Sequence, residues 1–337
     1  MKLKQVKPLD YNKFEMIGDI LEITTYNPKT KQLIVYKVDD FSIPKSFTVD
    51  AKVVIMLKAM YYDSKDFELK VNPKTIQIKN SVSKFSSSYL DEINIPGVNS
   101  ENLNVNETSL NALKKASKFV ARNDSRPELT GVRLYQGGGI ISTDSYRGYR
   151  YNPNHEDLDA LSCYIIPTWF IDSIPVSKDE ESDKVSIKCN DHYAVFENED
   201  IKIYTNLIIG NIKNINNLFE NARNQSNSFG INQDEITNIF STISALVDKN
   251  AILKIECREI GNSIISLNSD SIEYSAEIYM PSFQSVIIGF TFDYLKSVID
   301  NCNGSIYVAY KNEKSVFSFR ENRPGYVEDF IVLPVRI

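Results

Sequence analysis

Two histidines, four cysteines and one run of acids are the residues of this 337-residue sequence with the most obvious capacity for chemistry. A structural zinc site needs four thiolate or imidazole ligands, usually paired at short spacing. Cys163, Cys189, Cys257 and Cys302 stand far apart, with no C-x-x-C pair, and neither His155 nor His192 completes a set with them. Reduced, partly buried thiols are the reading they support. His155 lies in the polar loop NPNHEDLD and His192 follows a turn inside an expected hairpin, so neither is set locally as a base. Gly137-Gly138-Gly139 runs into Ile-Ile-Ser rather than Gly-Lys-Ser/Thr, and reads as a turn between strands. Neither a G-x-S-x-G elbow nor an H-E-x-x-H helix occurs. The acidic stretch Lys178 to Asp183 sits between an apolar segment and a strand, where a solvated loop is expected rather than a metal cluster. No metal, cofactor or catalytic group is expected, and the chain reads as a non-enzyme. Catalysis by residues scattered along the chain stays open at this point.

Attraction for phosphate is better represented. Leu110 to Arg122 is expected to form a helix with Leu113, Ala116, Phe119 and Val120 on its apolar side. Asn111, Lys114, Lys115, Lys118 and Arg122 then share an arc about 100° wide on another side, with no acid interrupting it. The whole chain has 38 basic and 44 acidic residues, net −6, which excludes a uniformly basic coat and leaves room for a local basic face. The stripe is a candidate phosphate-facing surface; an ordinary solvated helix face is the alternative. A second helix expected near Gln233 to Val247 presents Thr237, Asn238, Ser241, Thr242 and Ser244 opposite its apolar side. An uncharged face of that kind cannot attract a polyanion strongly.

The elements that position these residues recur along the chain. FSIP at Ile43, CYIIP at Ile166 and SVIIG at Ile288 each close a short apolar run, at offsets of 123 and 122 residues. A short, partly apolar helical stretch follows each: KSFTVDAKVVIMLKAM, TWFIDSI and FTFDYLKSVID. Two alternating strands come next: FELKV and TIQIK, then KVSIKC and YAVFEN, then SIYVAY and SVFSF. A last strand ends each repeat near SKFSSSYL, IKIYTNLI and EDFIVLPVRI. Three α+β domains follow, at 1–98 (shortened at its start), 99–222 and 223–337, with helices packed on one face of antiparallel sheets. Linkers are expected at Pro96–Asn102 and Asn221–Ser228. The first repeat leaves room only for residues 5–18 as an opening helix. The start MKLKQVKPLD has no apolar leader, and no stretch approaches the ~18 apolar residues that span a bilayer, so a cytoplasmic chain without a membrane partner is expected.

Three segments together carry a resemblance. They are Asn123-Asp-Ser-Arg-Pro-Glu-Leu-Thr-Gly-Val-Arg-Leu, Ile141-Ser-Thr-Asp-Ser-Tyr-Arg-Gly and the terminal Phe330-Ile-Val-Leu-Pro-Val-Arg-Ile. In order, spacing and position the sequence resembles the bacterial DNA polymerase III β subunit, the sliding clamp, in a divergent form such as a phage might encode. The resemblance implies a DNA-clamp fold and a head-to-tail dimeric ring with helices lining a hole and sheets outside. Double-stranded DNA would pass through without base-specific reading. DNA polymerase, a clamp loader and peptide motifs of other replication and repair proteins would be its partners. Their peptides, typically a glutamine followed by leucine and phenylalanine, would dock between the second and third domains. On the matching positions the pocket would use Leu129, Thr143, Ser145, Tyr146, Arg147, Gly148, Lys213, Asn217 and Leu218, with Val332, Leu333, Pro334, Val335, Arg336 and Ile337 from the tail. Lys114, Lys115, Lys118, Arg122, Asn123 and Arg126 would face DNA. Tyr146 replaces the family's histidine, Gly148 an aliphatic residue, Lys213 a proline and Asn217 an arginine, while Pro127 and Glu128 stand where the resemblance would put a tyrosine pair. The alternative is a nonenzymatic phage structural or protein-binding module of repeated α+β units.

Overall fold

A computed structural model describes residues 1–62, 67–90, 103–176, 183–210, 214–247, 250–269, 272–280, 282, 284–302, 304–321 and 325–337. Asparagine turns and period-2 runs produce mostly strands. The first repeat holds a 3-10 turn Leu3–Gln5, β1 Tyr11–Ile17, β2 Ile20–Asn27, β3 Gln32–Val38, β4 Phe47–Val49, α1 Ala51–Tyr62, β5 Glu68–Val71, β6 Thr75–Lys79 and β7 Lys84–Ser88. The second holds β8 Asn104–Ser109, α2 Leu110–Ala116, β9 Gly131–Tyr135, β10 Ile140–Thr143, β11 Arg147–Asn152, β12 Cys163–Pro167, α3 Thr168–Ser173, β13 Lys184–Cys189, β14 Tyr193–Glu197 and β15 Ile201–Asn206. After α4 Ile215–Arg223 comes the third: β16 Asn227–Asn232, α5 Gln233–Ser244, β17 Ile252–Cys257, β18 Ser263–Ser269, β19 Ile272–Ile278, β20 Val286–Thr291, α6 Phe292–Ile299, β21 Ser305–Tyr310, β22 Phe317–Glu321 and β23 Val327–Val332. The second and third repeats thus read strand, helix, four strands, helix, three strands. The first, among the described residues, lacks the opening strand and helix.

Strand order repeats as well. One eight-stranded sheet runs β4-β1-β2-β3-β15-β14-β13-β8 and the other β12-β9-β10-β11-β23-β22-β21-β16. In each, the first four-strand block of one repeat meets the last three strands of the next, with the opening strand of that next repeat at the far edge. Two partial sheets remain, β19-β18-β17-β20 and β5-β6-β7. The chain divides into two compact units, Met1–Val105 with Asp172–Pro175 and Ser186–Leu207, and Asn106–Ile171 with Val176–Val185 and Ile208–Ile337. No helix among the described residues is long and apolar enough to cross a membrane.

Several expected boundaries move for identifiable reasons. Residues 5–18 form no opening helix: YNKFEMI pairs along its whole length with β2, because Asn12 and Phe14 are buried on one face of a strand. The linker expected at Asn221–Ser228 is mostly structured. Ile215, Phe219 and Ala222 fall on one helical side and bury it, which extends α4 to Arg223, and β16 starts at Asn227. The linker Pro96–Asn102 and most of the acidic loop Lys178–Asp183 lie outside the described residues. The basic helix stops at Ala116 and tightens into a 3-10 turn at Ser117–Phe119. There the Ser117 hydroxyl donates back to the Leu113 carbonyl at 3.1 Å, a bond that competes with helix propagation. The glycine turn between β9 and β10 needs φ of +87° at Gly137 and +88° at Gly138, and a Cβ on Gly138 would fall 2.2 Å from the Glu107 carbonyl.

Between β11 and β23, six residue pairs run from Arg147↔Val332 to Asn152↔Val327. Two carboxylates make this seam specific. Arg150, fully buried, pairs with Asp329 and Glu220 and donates to the Asn216 amide oxygen at 2.9 Å, while lying 5.4 Å from the Phe219 ring centroid. Glu328 accepts from Lys115 at 2.7 Å and from the Tyr149 hydroxyl at 2.8 Å. Burial and the Glu328 charge hold that hydroxyl well above the ordinary phenol range, so it stays a donor. A buried charge stripped of its partner typically costs about 3–5 kcal/mol, which makes these pairs strong constraints on register. Gly148 sits in the same seam. A Cβ there would lie 3.0 Å from the Ser142 carbonyl, 3.1 Å from Ile331 and 3.1 Å from Phe219. The space an aliphatic residue would need is already filled by Phe219. Gly148→Leu is therefore expected to destabilise the protein by about 1–3 kcal/mol through overpacking, read as a lower denaturation midpoint at unchanged slope.

Candidate functional site

The seam that joins β11 to β23 also shapes a pocket of about 430 Å³. One wall comes from the turn between β10 and β11. Ser145 takes φ +77° there, and the Asp144 carboxylate accepts the Tyr146 and Arg147 backbone N–H groups at 3.0 and 2.9 Å. This bonding fixes the projecting Tyr146, 57% exposed, whose ring stacks on Tyr294 of α6 at 5.7 Å. The opposite wall is α4, whose Ile215 and Leu218 face the opening. Its N-terminus is satisfied from a distance: the Asp159 carboxylate accepts the Asn216 and Asn217 backbone N–H groups at 3.2 and 3.1 Å. Leu129, Val316, Ile331 and Leu333 complete an apolar floor, with Arg126 and Glu128 at its polar margin. Ile215 and Ile331 also belong to a buried cluster with Tyr135, Ile141, Leu158, Phe219 and Ala222.

Seven residues named from the sequence come together here: Leu129, Thr143, Ser145, Tyr146, Arg147, Leu218 and Leu333. Others fall elsewhere. Asn217 is exposed without lining the pocket, and Gly148 and Val332 are buried in the seam beneath it. After Leu333, whose N–H donates to the Tyr146 carbonyl at 2.8 Å, the tail departs toward β20. Val335 bridges Gly289 and Ile337 packs over the same glycine, while Pro334 and Arg336 do not line the pocket. Lys213 lies outside the described residues. Glu128, Asn214, Ile215, Val316 and Ile331 join the lining without having been expected there. Ile215 and Leu218, spaced as a helix face, are the sequence signal for α4.

Arg147 contributes a surface rather than a free charge. Its guanidinium donates to the Asp144 carboxylate at 2.9 Å, to the Ser297 hydroxyl and to the Lys118 carbonyl at 3.2 Å. It also lies 5.3 and 5.2 Å from the ring centroids of Phe119 and Tyr294. Three of its five N–H donors are taken up in these hydrogen bonds.

The cation stripe is only partly available. Lys115 is neutralised by Glu328, and Lys118 donates to the neutral Asn301 amide oxygen at 2.9 Å. Lys114, Lys118 and Arg122 have no carboxylate within ion-pair distance among the described residues. The three lysines line a polar groove of about 450 Å³ with Ser109, Asn111, Tyr151 and the carboxylates Asp183 and Glu328. Asn123 is exposed just beyond the 3-10 turn. Arg126, expected beside the stripe, lies at the pocket margin instead. It pairs with Asp124, whose carboxyl it holds below the usual range, and donates to the Ser145 hydroxyl at 3.1 Å.

No protein-family model and no curated protein sequence matches the chain. Solved structures do. The β subunit from DNA polymerase of Streptococcus pyogenes aligns with a TM-score of 0.80 at 16% identity, over 97% of this chain and 92% of that one. The DNA polymerase III subunit beta of Pseudomonas aeruginosa gives 0.78 at 17% identity, over 97% and 93%. The DNA polymerase sliding clamp of Bacillus subtilis gives 0.79 at 18% identity, over 97% and 91%. With its repeated α+β pattern and antiparallel sheets, this chain has the DNA polymerase sliding-clamp fold.

Proposed function

We propose that this chain is a sliding clamp, a non-catalytic ring that encircles duplex DNA and tethers a replicative polymerase. The observation that carries the reading is the pair of incomplete sheets. Twice within the chain a block of four strands is completed by the last three strands of the following repeat, at β3–β15 and at β11–β23. The third repeat offers the same four-strand block ending at β19, and the first offers the same three-strand block beginning at β7. Among the described residues no further strand pairs with either edge. A second copy of the chain would supply one for each, head to tail, as in a closed dimeric ring.

Helix packing favours the same closure. The exposed side of α6 is covered by neighbours from the second repeat: Tyr146 on Tyr294, Arg147 on Ser297 and Lys118 on Asn301. The first repeat's helix at the same place, α1, leaves Ile55 and Met56 exposed at 57% and 36%. In the ring these apolar residues would meet the third repeat of the next copy. The domains of the reading are 1–98, 99–222 and 223–337.

Phosphate contacts from Lys114, Lys118 and Arg122 would hold DNA without fixing a register, since backbone contacts carry no sequence information. A net charge of −6 is then an acidic exterior around a locally basic lining. The pocket at Tyr146, Leu218 and Leu333 would take the apolar anchors of partner peptides from polymerase, clamp loader and repair proteins, raising their effective concentration at the primer end.

Topology provides the test. Loaded onto nicked circular duplex by a bacterial clamp loader, the protein should be retained at high salt and released when the circle is cut. Equal retention on circular and linear DNA, or none on either, would reject the ring. For the pocket, Leu333→Asp should weaken binding of a fluorescent peptide carrying glutamine, leucine and phenylalanine by at least about tenfold, roughly 1.4 kcal/mol, without lowering the melting temperature. Unchanged affinity would remove the pocket from the role.

A further inference from the structure

The pocket beside Tyr146 is edged by charges that do not balance. Two cations line it, Arg126 and Arg147, and one carboxylate, Glu128. Arg126 is matched by Asp124, to which two of its nitrogens donate at 3.2 Å each, and Arg147 by Asp144 at 2.9 Å. Asp124 is also the main cause that raises the Arg126 guanidinium above its ordinary range, ahead of Glu128. Glu128 itself has no lysine or arginine within ion-pair distance among the described residues. Thr143, Ser145 and Asn214 add no charge. With both aspartates counted, the opening carries one negative charge in excess, and that charge is Glu128.

The backbone that carries it is tied down on several sides. Glu128 is the middle residue of the 3-10 turn Pro127–Leu129, which opens on a proline of fixed φ. The Thr130 N–H and hydroxyl close the turn by donating to the Pro127 carbonyl at 2.9 and 2.7 Å. The guanidinium of Arg133, 1% exposed, donates to the Glu128 carbonyl at 3.3 Å. The chain beyond β15 passes so close that a Cβ on Gly210 would lie 2.5 Å from the Glu128 Cβ and 3.0 Å from its carboxylate. The next residue, Leu129, is buried and belongs to the apolar floor. A half-buried carboxylate therefore stands at the margin of the surface that would receive an apolar anchor.

We propose that Glu128 is a specificity-determining residue of this pocket, selecting partner peptides that carry a lysine or arginine next to their apolar anchors over those that carry an acid there. This rests on the reading that the pocket takes partner peptides. A ligand cation can pair with Glu128 without breaking any internal ion pair. A ligand acid meets two arginines already matched by aspartates and a carboxylate that repels it. Charge at the rim of an apolar pocket acts on the choice of partner more than on total affinity, and the repulsive half of the choice is as useful as the attractive half. Partial shielding from water makes such a pair stronger than one on an open surface.

A peptide scan tests this. The fluorescent peptide carrying glutamine, leucine and phenylalanine is made with lysine, alanine or glutamate at each position between and beside its anchors. Affinities are measured at low salt against the full-length protein, Glu128→Gln, Glu128→Lys and Leu333→Asp. On the unmodified protein at least one position should favour lysine over glutamate by about fivefold or more, the size of a well-placed, partly exposed ion pair. That ratio should fall toward unity in Glu128→Gln, invert in Glu128→Lys and shrink as salt is raised. Because it compares peptides on one protein, a loss of folded fraction cancels from it. A ratio near unity at every position of the unmodified protein, or the same ratio in both Glu128 variants, would overturn the proposal. If Leu333→Asp still weakens the parent peptide, the pocket reading survives that result. No binding of any peptide, or equal binding by Leu333→Asp, would overturn both.

Discussion

A strand at the edge of a sheet exposes a ladder of unpaired backbone donors and acceptors, and a stable protein has to pair, cover or blunt it. This chain solves the problem twice by the same device, joining the edge strand of one repeat's four-strand block to the last-strand edge of the next repeat. The device has a consequence built into its arithmetic. Three repeats in a line make two such joints and leave one four-strand block and one three-strand block unjoined. Their edges are complementary because they are the same two edges that meet inside the chain. The clamp reading depends on that complementarity more than on any single side chain.

Around the joint between β11 and β23, side chains turn a generic strand pairing into a specific one. Arg150 with Asp329, and Glu328 with Lys115 and Tyr149, place charges where a one-residue slip would leave them buried and alone. The same joint supplies the pocket. Its turn projects Tyr146 and locks Arg147 between Phe119 and Tyr294, and α4 closes over the seam through Phe219. Pocket and joint are thus one construction: β11 and β23 carry the seam, and the turn before β11 and the residue after β23 line the opening.

Much of this is legible in the residues themselves. Hairpins such as KVSIKC–YAVFEN follow from alternation and Asn-rich turns, and β13 and β14 fall at those positions. The repeat at Ile43, Ile166 and Ile288 marks the recurrence of the second helix in each repeat. The opening of the chain misleads because the later repeats suggest a helix for residues 5–18, although YNKFEMI alternates like a strand. The asparagines of α4 imitate a linker, and its apolar face is narrow. Seven of the fifteen pocket residues that a resemblance can name line this pocket; Val316, Ile331 and Asn214 need the fold. The neutralising of Lys115 by a glutamate 213 positions away is beyond any local pattern. The placing of Arg126 at the pocket margin rather than on the basic stripe also needs the fold, although its partner Asp124 is only two residues away.

Amide hydrogen exchange of β7 and β19 tests the central claim most directly. At concentrations where the protein is assembled, both strands should be protected like β11 and β23, and protection of both should fall together on dilution. Rapid exchange at these two edges at every concentration, with β11 and β23 protected, would contradict the account.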